Sequence, residues 1–209
     1  MKQKPSVVFS LFLLVAGLSI VAGAQNSHPQ TVSEPQHGGA PTNTDAGVAK
    51  PIFVPPHGNR STVPTGDIRI KVSGADTGGA VAVLEVTTDP DFSTPVHVHH
   101  VENEWFYAIE GEYEVTVGDE VFHLKPGGSV YAPKLIPHAI NDVSDKGGKL
   151  MVVAQPAGHI EAFSIDLFKL MSSGTQDPAA MIALFQKHNM EFVAPPLPRR
   201  HQPTAAPSR

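Results

Sequence analysis

The stretch "TPVHVHHVENEW", Thr94 to Trp105, places three histidines and two glutamates in twelve residues of a chain with eleven histidines and twenty acidic residues in all. His97 and His99 are two apart. On a β-strand the side-chain period is two, so both imidazoles project from the same face. That is the geometry by which one strand offers a metal ion two ligands. His100 then points the other way, as a surface or turn residue. "HVEN" (100–103) reads as a turn, which lets Glu104 begin a returning strand with its carboxylate toward the same pocket, whereas Glu102 falls in the turn and is expected to be exposed. From Glu104 the alternation carries Phe106 and Ala108 inward and Trp105 and Tyr107 outward.

What could be built around this stretch follows from the bulk of the sequence. The chain has 209 residues, 41% hydrophobic and 17% charged, enough for one globular domain with its own core. Eighteen glycines and twenty prolines suit short strands joined by turns better than long helices. A formal charge of −5 provides no basic field for nucleic acid. There is no cysteine, so any metal site must be made from His, Asp and Glu.

Lys2 and Lys4 precede an apolar run from Val7 to Ala22 that ends in Ala22-Gly23-Ala24. A positive start, an apolar middle and a small-residue exit predict a secretory signal peptide over 1–24; the alternative is a retained anchor, although a spanning helix wants roughly 20 residues. Cleavage after Ala24 removes two lysines and no acid, taking the charge from −5 to −7. The expected location is secreted or periplasmic, with no membrane attachment after cleavage. Residues 25–50 are rich in Pro, Gly, Ser and Thr and too poor in apolar groups to offset the entropy of folding, so they read as a disordered linker. The proline-rich 195–209 reads as a disordered tail. The folded unit is then 51–194.

Within it, "DIRIKVSG" (67–74), "AVAVLEVTTD" (80–89), "PVHVHHV" (95–101), "EWFYAIEGEYEVTVGDEVFHL" (104–124), "GSVYAP" (128–133), "HAINDV" (138–143) and "KLMVVAQP" (149–156) predict a series of short strands, with turns at Glu110-Gly111 and Gly118-Asp119. Such spacing indicates an antiparallel sandwich or barrel. Ile160, Phe163, Leu167, Leu170 and Met171 then form a helical stripe, and Asp177-Pro178 opens a second helix with a cap residue before proline. Two short C-terminal helices are expected to cover one side of the β-structure.

A further histidine, His138, stands alone between Pro137 and Ala139, where an edge residue is the ordinary reading. The pattern of the whole changes that. His97, His99, Glu104 and Gly111 satisfy H-x-H-x4-E-x6-G; Gly127, Pro133 and His138 satisfy G-x5-P-x4-H, with fifteen residues between Gly111 and Gly127. In these blocks, about 45 residues, the chain resembles the cupin family, and more loosely its quercetin 2,3-dioxygenase-like group. It departs from the family at Leu135, where a glycine is usual, and near the end of the second block. There Asn141 stands one place early and Asp142 takes the expected position.

The resemblance implies a mainly β fold, a double-stranded β-helix or jelly-roll barrel, with His97, His99, Glu104 and His138 as ligands of a divalent transition metal. Three imidazoles and one carboxylate suit Fe, Mn, Ni, Cu or Zn, and without sulfur they select no soft metal. It implies a dioxygenase acting on a hydroxylated aromatic or enediol-type small molecule, with a non-catalytic binding module as the alternative. Glu104 would stay as a ligand or serve as general base. Phe106, Val115, Val117, Phe122, Val130 and Ile140 are the expected substrate-binding wall. A homodimer is the expected assembly.

Overall fold

The computed structural model describes residues 50–90, 92–175 and 177–197. The expected signal peptide, nearly all of the linker and most of the tail lie outside them. Among the described residues ten strands and two α-helices follow one another: β1 (Ile68–Val72), β2 (Ala82–Thr88), β3 (Val96–His99), β4 (Asn103–Glu110), β5 (Tyr113–Val117), β6 (Glu120–Leu124), β7 (Ser129–Ala132), β8 (His138–Asp142), β9 (Gly148–Gln155), α1 (Ile160–Ser172), α2 (Pro178–Lys187) and β10 (Met190–Ala194). One sheet has the order β1-β2-β9-β4-β7 and the other β10-β3-β8-β5-β6. Every pairing between the strands is antiparallel. This is the double-stranded β-helix.

The inward residues of both sheets merge in one apolar cluster. Leu84, Phe106, Ala108 and Leu150 come from the first sheet, Tyr113, Val115, Ile140 and Met190 from the second, and Ile160, Phe163, Leu184 and Phe185 from the helices. At about 1.5–3 kcal/mol for each large apolar side chain withdrawn from water, this cluster is the main source of stability. The strand β4 shows how the alternation works. Glu104, Phe106 and Ala108 are buried, while Trp105 and Tyr107 on the other face are half-buried. Gly111 turns β4 into β5 at φ 83°, and a Cβ there would come within 2.9 Å of the Gly148 Cα, so the position requires glycine on both counts.

α2 begins as its sequence dictates: the Asp177 carboxylate accepts from the Ala179 amide at 2.9 Å and Pro178 occupies the first turn. Asp166 on α1 ties the two helices together, accepting from Lys187 at 2.7 Å and from His188 Nε2 at 3.1 Å. Those lysine and histidine donors, Lys187 foremost, hold the Asp166 carboxyl well below the usual range. β10 was not expected from the sequence. It pairs with β3, Phe192 opposite His97 and Met190 opposite His99, and so completes the sheet beside the histidine strand. No helix among the described residues is long and apolar enough to cross a membrane.

Candidate metal centre

β3 delivers His97 and His99 to one face, and β8 lies against it with His138 directly opposite His97. Glu104 reaches the same point from the other sheet, at the start of β4. Its cross-strand neighbours are Ala132 on β7 and Ala154 on β9, and these small side chains leave its carboxylate room in the interior. One ligand atom from each of His97, His99, Glu104 and His138 can be chosen so that all lie within 4.8 Å of one another, and all four residues are buried. The ring centroids of His97 and His138 are 4.4 Å apart, those of His99 and His138 5.5 Å. His100 is exposed, with its Nε2 3.9 Å from Glu191.

The hydrogen bonds decide which ring nitrogen faces inward. His97 Nδ1 donates to the Pro95 carbonyl at 2.8 Å, His138 Nδ1 to the Ile136 carbonyl at 3.2 Å, and His99 Nδ1 to the Glu102 carboxylate at 3.1 Å. Each imidazole thus has its proton claimed on the outer nitrogen, which leaves the Nε2 lone pair for a cation. Glu104 Oε2 lies 3.0 Å from His138 Nε2 and 3.5 Å from His99 Nε2. Lone pairs facing a carboxylate oxygen at such distances repel unless a proton or a metal ion stands between them. His99 Nε2 is the one buried side-chain polar atom among the described residues with no hydrogen-bond partner. Leaving such an atom unsatisfied costs about 1–3 kcal/mol. The donor set therefore fits a divalent metal: three imidazole nitrogens, one carboxylate and an orphaned nitrogen aimed at their common point.

Protonation follows the same geometry. Burial, then the neighbouring His138 and His99, lowers the His97 pKa to about 3, so this ring is neutral at physiological pH. Burial would raise Glu104, but the facing histidines, His99 first, outweigh it and hold the carboxyl at about 2. Burial works against the charged form of His99 as well, yet Glu104 and Glu102 together raise its pKa.

One expectation is corrected here. Glu102 is not an exposed turn residue: its side chain is 1% exposed. Besides His99, it accepts from the backbone N–H of His159 at 2.5 Å. The expected wall residues fall in different places. The centre opens on a cavity of about 260 Å³, which His97, His99 and Glu104 line. Of the six wall residues, Phe106 and Ile140 line it. Val115 and Val130 are buried in the core outside the cavity lining, Val117 is packed partly buried against that core, and Phe122, on the edge strand β6, is 37% exposed. Alternation reveals which face a side chain takes but not its depth along the barrel. The cavity lies instead toward β2, β9 and the helices, with Leu84, Leu150, Phe163, Met171, Met181 and Met190 on its wall. The helical stripe expected to cover the β-structure thus also forms part of this wall. Among the described residues no lysine or arginine lines the cavity, whereas Asp67 and Asp89 do.

The chain is similar to several known proteins. A family model described as "Cupin domain" matches residues 84–154, which contain all four clustered residues. An uncharacterized protein of Methanocaldococcus jannaschii is 30% identical over 63 residues, 30% of this chain and 50% of its own length. The chain thus spans about half of that relative. Among solved structures, a Thermus thermophilus protein, TT1209, is 33% identical over 37% of this chain and 74% of its own, with a TM-score of 0.36. KdgF from Halomonas sp. is 18% identical over 51% and 94%, TM-score 0.43. The Bacillus subtilis oxalate decarboxylase, whose Mn(II) centres have been studied, is 25% identical over 43% and 25%, TM-score 0.39.

Proposed function

Since the chain carries a cupin domain with a buried site that could hold a metal ion, we propose that it is a metal-dependent dioxygenase acting on an uncharged, hydroxylated aromatic or enediol-type small molecule. The observation that carries this reading is the opening of the four-residue cluster onto an apolar cavity. About 260 Å³ exceeds the roughly 150 Å³ that accommodates benzene in an engineered cavity. Its lining is mostly Leu, Ile, Val, Phe and Met, which would hold a ring by contact. With Asp67 and Asp89 on the lining and, among the described residues, no lysine or arginine there, the wall offers nothing to hold a phosphate, which disfavours phosphosugars.

A metal ion bound by His97, His99, Glu104 and His138 would supply Lewis acidity and bring an oxygen-bearing substrate and dioxygen together. The chain's own groups do the rest. The Nδ1 bonds keep the three rings aimed inward, and Phe106 and Ile140 place the substrate beside them. Glu104 is ionised and can accept a substrate hydroxyl proton at its carboxylate. A carboxyl at about 2 is nevertheless a weak base, which suits the ligand role better than the base role. The same apolar cavity would also serve a second reading, a binding module that captures a hydroxylated ligand without turnover.

Oxygen uptake separates the two. Metal-loaded protein should consume dioxygen with a flavonol or an enediol, and His97→Ala should abolish uptake while leaving the fold intact. Ligand binding without oxygen consumption across such a panel would establish the binding module instead.

We also read the chain as exported, on Lys2, Lys4 and the apolar run behind them, and as a homodimer. N-terminal sequencing of extracytoplasmic protein should begin at Gln25. Light scattering should give twice the chain mass, and a monomer would refute the assembly.

A further inference from the structure

The Glu102 carboxylate touches two parts of the molecule that have separate duties. One oxygen accepts the Nδ1 proton of His99, and the other accepts the backbone N–H of His159, the residue that precedes α1. No side chain of the helix's own sequence caps this end, so Glu102 supplies the negative charge that a helix N-terminus favours. Gly158, at φ 50°, makes the contact possible, because a Cβ there would overlap the Glu102 carboxylate. α1 in turn puts Ile160, Phe163, Ser164, Leu167, Phe168 and Met171 on the cavity wall.

We infer that Glu102 is a positioning residue that couples the metal centre to the helical wall of the cavity. A single buried carboxylate fixes the tautomer and aim of His99 and pins the first turn of α1. Occupation of the centre holds His99 in place, His99 holds Glu102, and Glu102 holds the wall against which the substrate rests. This inference depends on the metal-centre part of the reading above and not on the oxygen chemistry.

The test uses Co(II) as the probe with the full chain, read by competition with a chelator and by the visible absorption of the bound ion. Hydrogen exchange at residues 159–164 is measured with and without Co(II). Loss of a group that orients a metal ligand typically weakens binding about 10–100-fold. Glu102→Gln, which keeps the shape but turns an amide N–H toward a donor, should weaken Co(II) by about that factor, shift its spectrum and speed exchange at the start of α1. Gly158→Ala should do the same without altering a charge. Asp166→Asn, which loosens α1 against α2 without touching Glu102, should leave affinity and spectrum as they are. In the wild type, Co(II) should slow exchange at 159–164. Unchanged affinity in Glu102→Gln, or faster exchange with no change in affinity, overturns the inference alone. Wild-type protein that takes up no Co(II) overturns the metal centre and the inference with it.

Discussion

The two ends of β8 hold buried polar groups in opposite conditions. All five residues of this strand are buried. At its beginning, His138 stands with His97, His99 and Glu104 around a common point, its Nε2 within hydrogen-bond distance of Glu104 at 3.0 Å while His99 Nε2 has no partner. At its end, roughly 13 Å away at the strand rise, Asp142 is fully buried but fully engaged. It accepts from Thr88 Oγ1 at 2.6 Å, from the Ser144 amide at 2.8 Å and from the Ser144 hydroxyl, and Thr88 also meets the Tyr113 hydroxyl at 3.0 Å. A closed network of this kind serves the fold and asks for nothing more. An open one, built at the cost of an unsatisfied atom, is a binding site.

If this contrast is right, substitutions at the two ends should separate metal affinity from stability. The largest effect is expected at the open end. Structural four-ligand zinc sites are worth on the order of 10–16 kcal/mol, about 3 kcal/mol per ligand, so His138→Ala should weaken Zn(II) or Co(II) at least about a hundredfold. The metal-free protein should keep its melting temperature within a few degrees, as thermal denaturation followed by circular dichroism would show. Asp142→Ala should do the reverse. It strands the donors of Thr88 and Ser144 in the interior, at about 3 kcal/mol, and should lower the melting temperature by roughly 10 °C with metal affinity unchanged. Equal damage to affinity and stability from either substitution would erase the distinction.

A middle-sized effect is expected in the pH dependence of the metal-free protein. His97 falls from 6.5 to about 3 and Glu104 from 4.5 to about 2 on folding. In both cases the unfolded chain binds more protons, so stability is lost as pH falls through these windows. His99 is raised and has the opposite sign: its contribution is present below about 6.5 and is lost as pH climbs through its folded value. The two imidazoles therefore oppose each other near 6.5, and the acid limb should steepen below about 4.5, where Glu104 joins His97. At the closed end, burial foremost, aided by the charge of Asp142, pushes Tyr113 up to about 12. The native state then holds a proton that the unfolded chain releases, so stability is lost as pH rises from about 10. Tyr113→Phe should flatten this alkaline limb and leave the acid limb alone. Thermal melts from pH 3 to 11 would reveal both.

The smallest effect concerns the loop that carries His138. Leu135 takes the glycine-like conformation, φ 68°, at the place where the motif that this sequence resembles has glycine. Holding a side chain there costs about 1–2 kcal/mol, partly offset by the freedom that glycine would gain on unfolding. Leu135→Gly should raise the melting temperature by about 1–3 °C without changing metal affinity. A fall in either quantity would mean that the leucine side chain supports the centre.

Much of this contrast could be seen in the sequence, for reasons that differ by residue. The x-His-x-His alternation places His97 and His99 by the strand period alone. His138 needed the longer pattern, because its pairing with His97 joins residues forty-one apart, beyond the reach of any local period. Glu102 was misjudged because a turn normally faces solvent, and its burial comes from α1, whose start lies almost sixty residues further on. The same distance hid β10: "MEFVA" is too short to declare itself, and becomes a strand only by lying on β3. The place of the cavity could not be read from the sequence at all. Val115 and Val130 are buried, but only three-dimensional packing shows that the space beside the centre faces the helices.

Everything here turns on whether the open end of β8 receives a cation. Calorimetric titration of metal-free protein with a divalent first-row ion, run beside His97→Ala, tests that directly. One ion per chain in the wild type, with binding lost in the variant and the fold retained, is the expected result. No binding in the wild type, or equal binding in both, would contradict it.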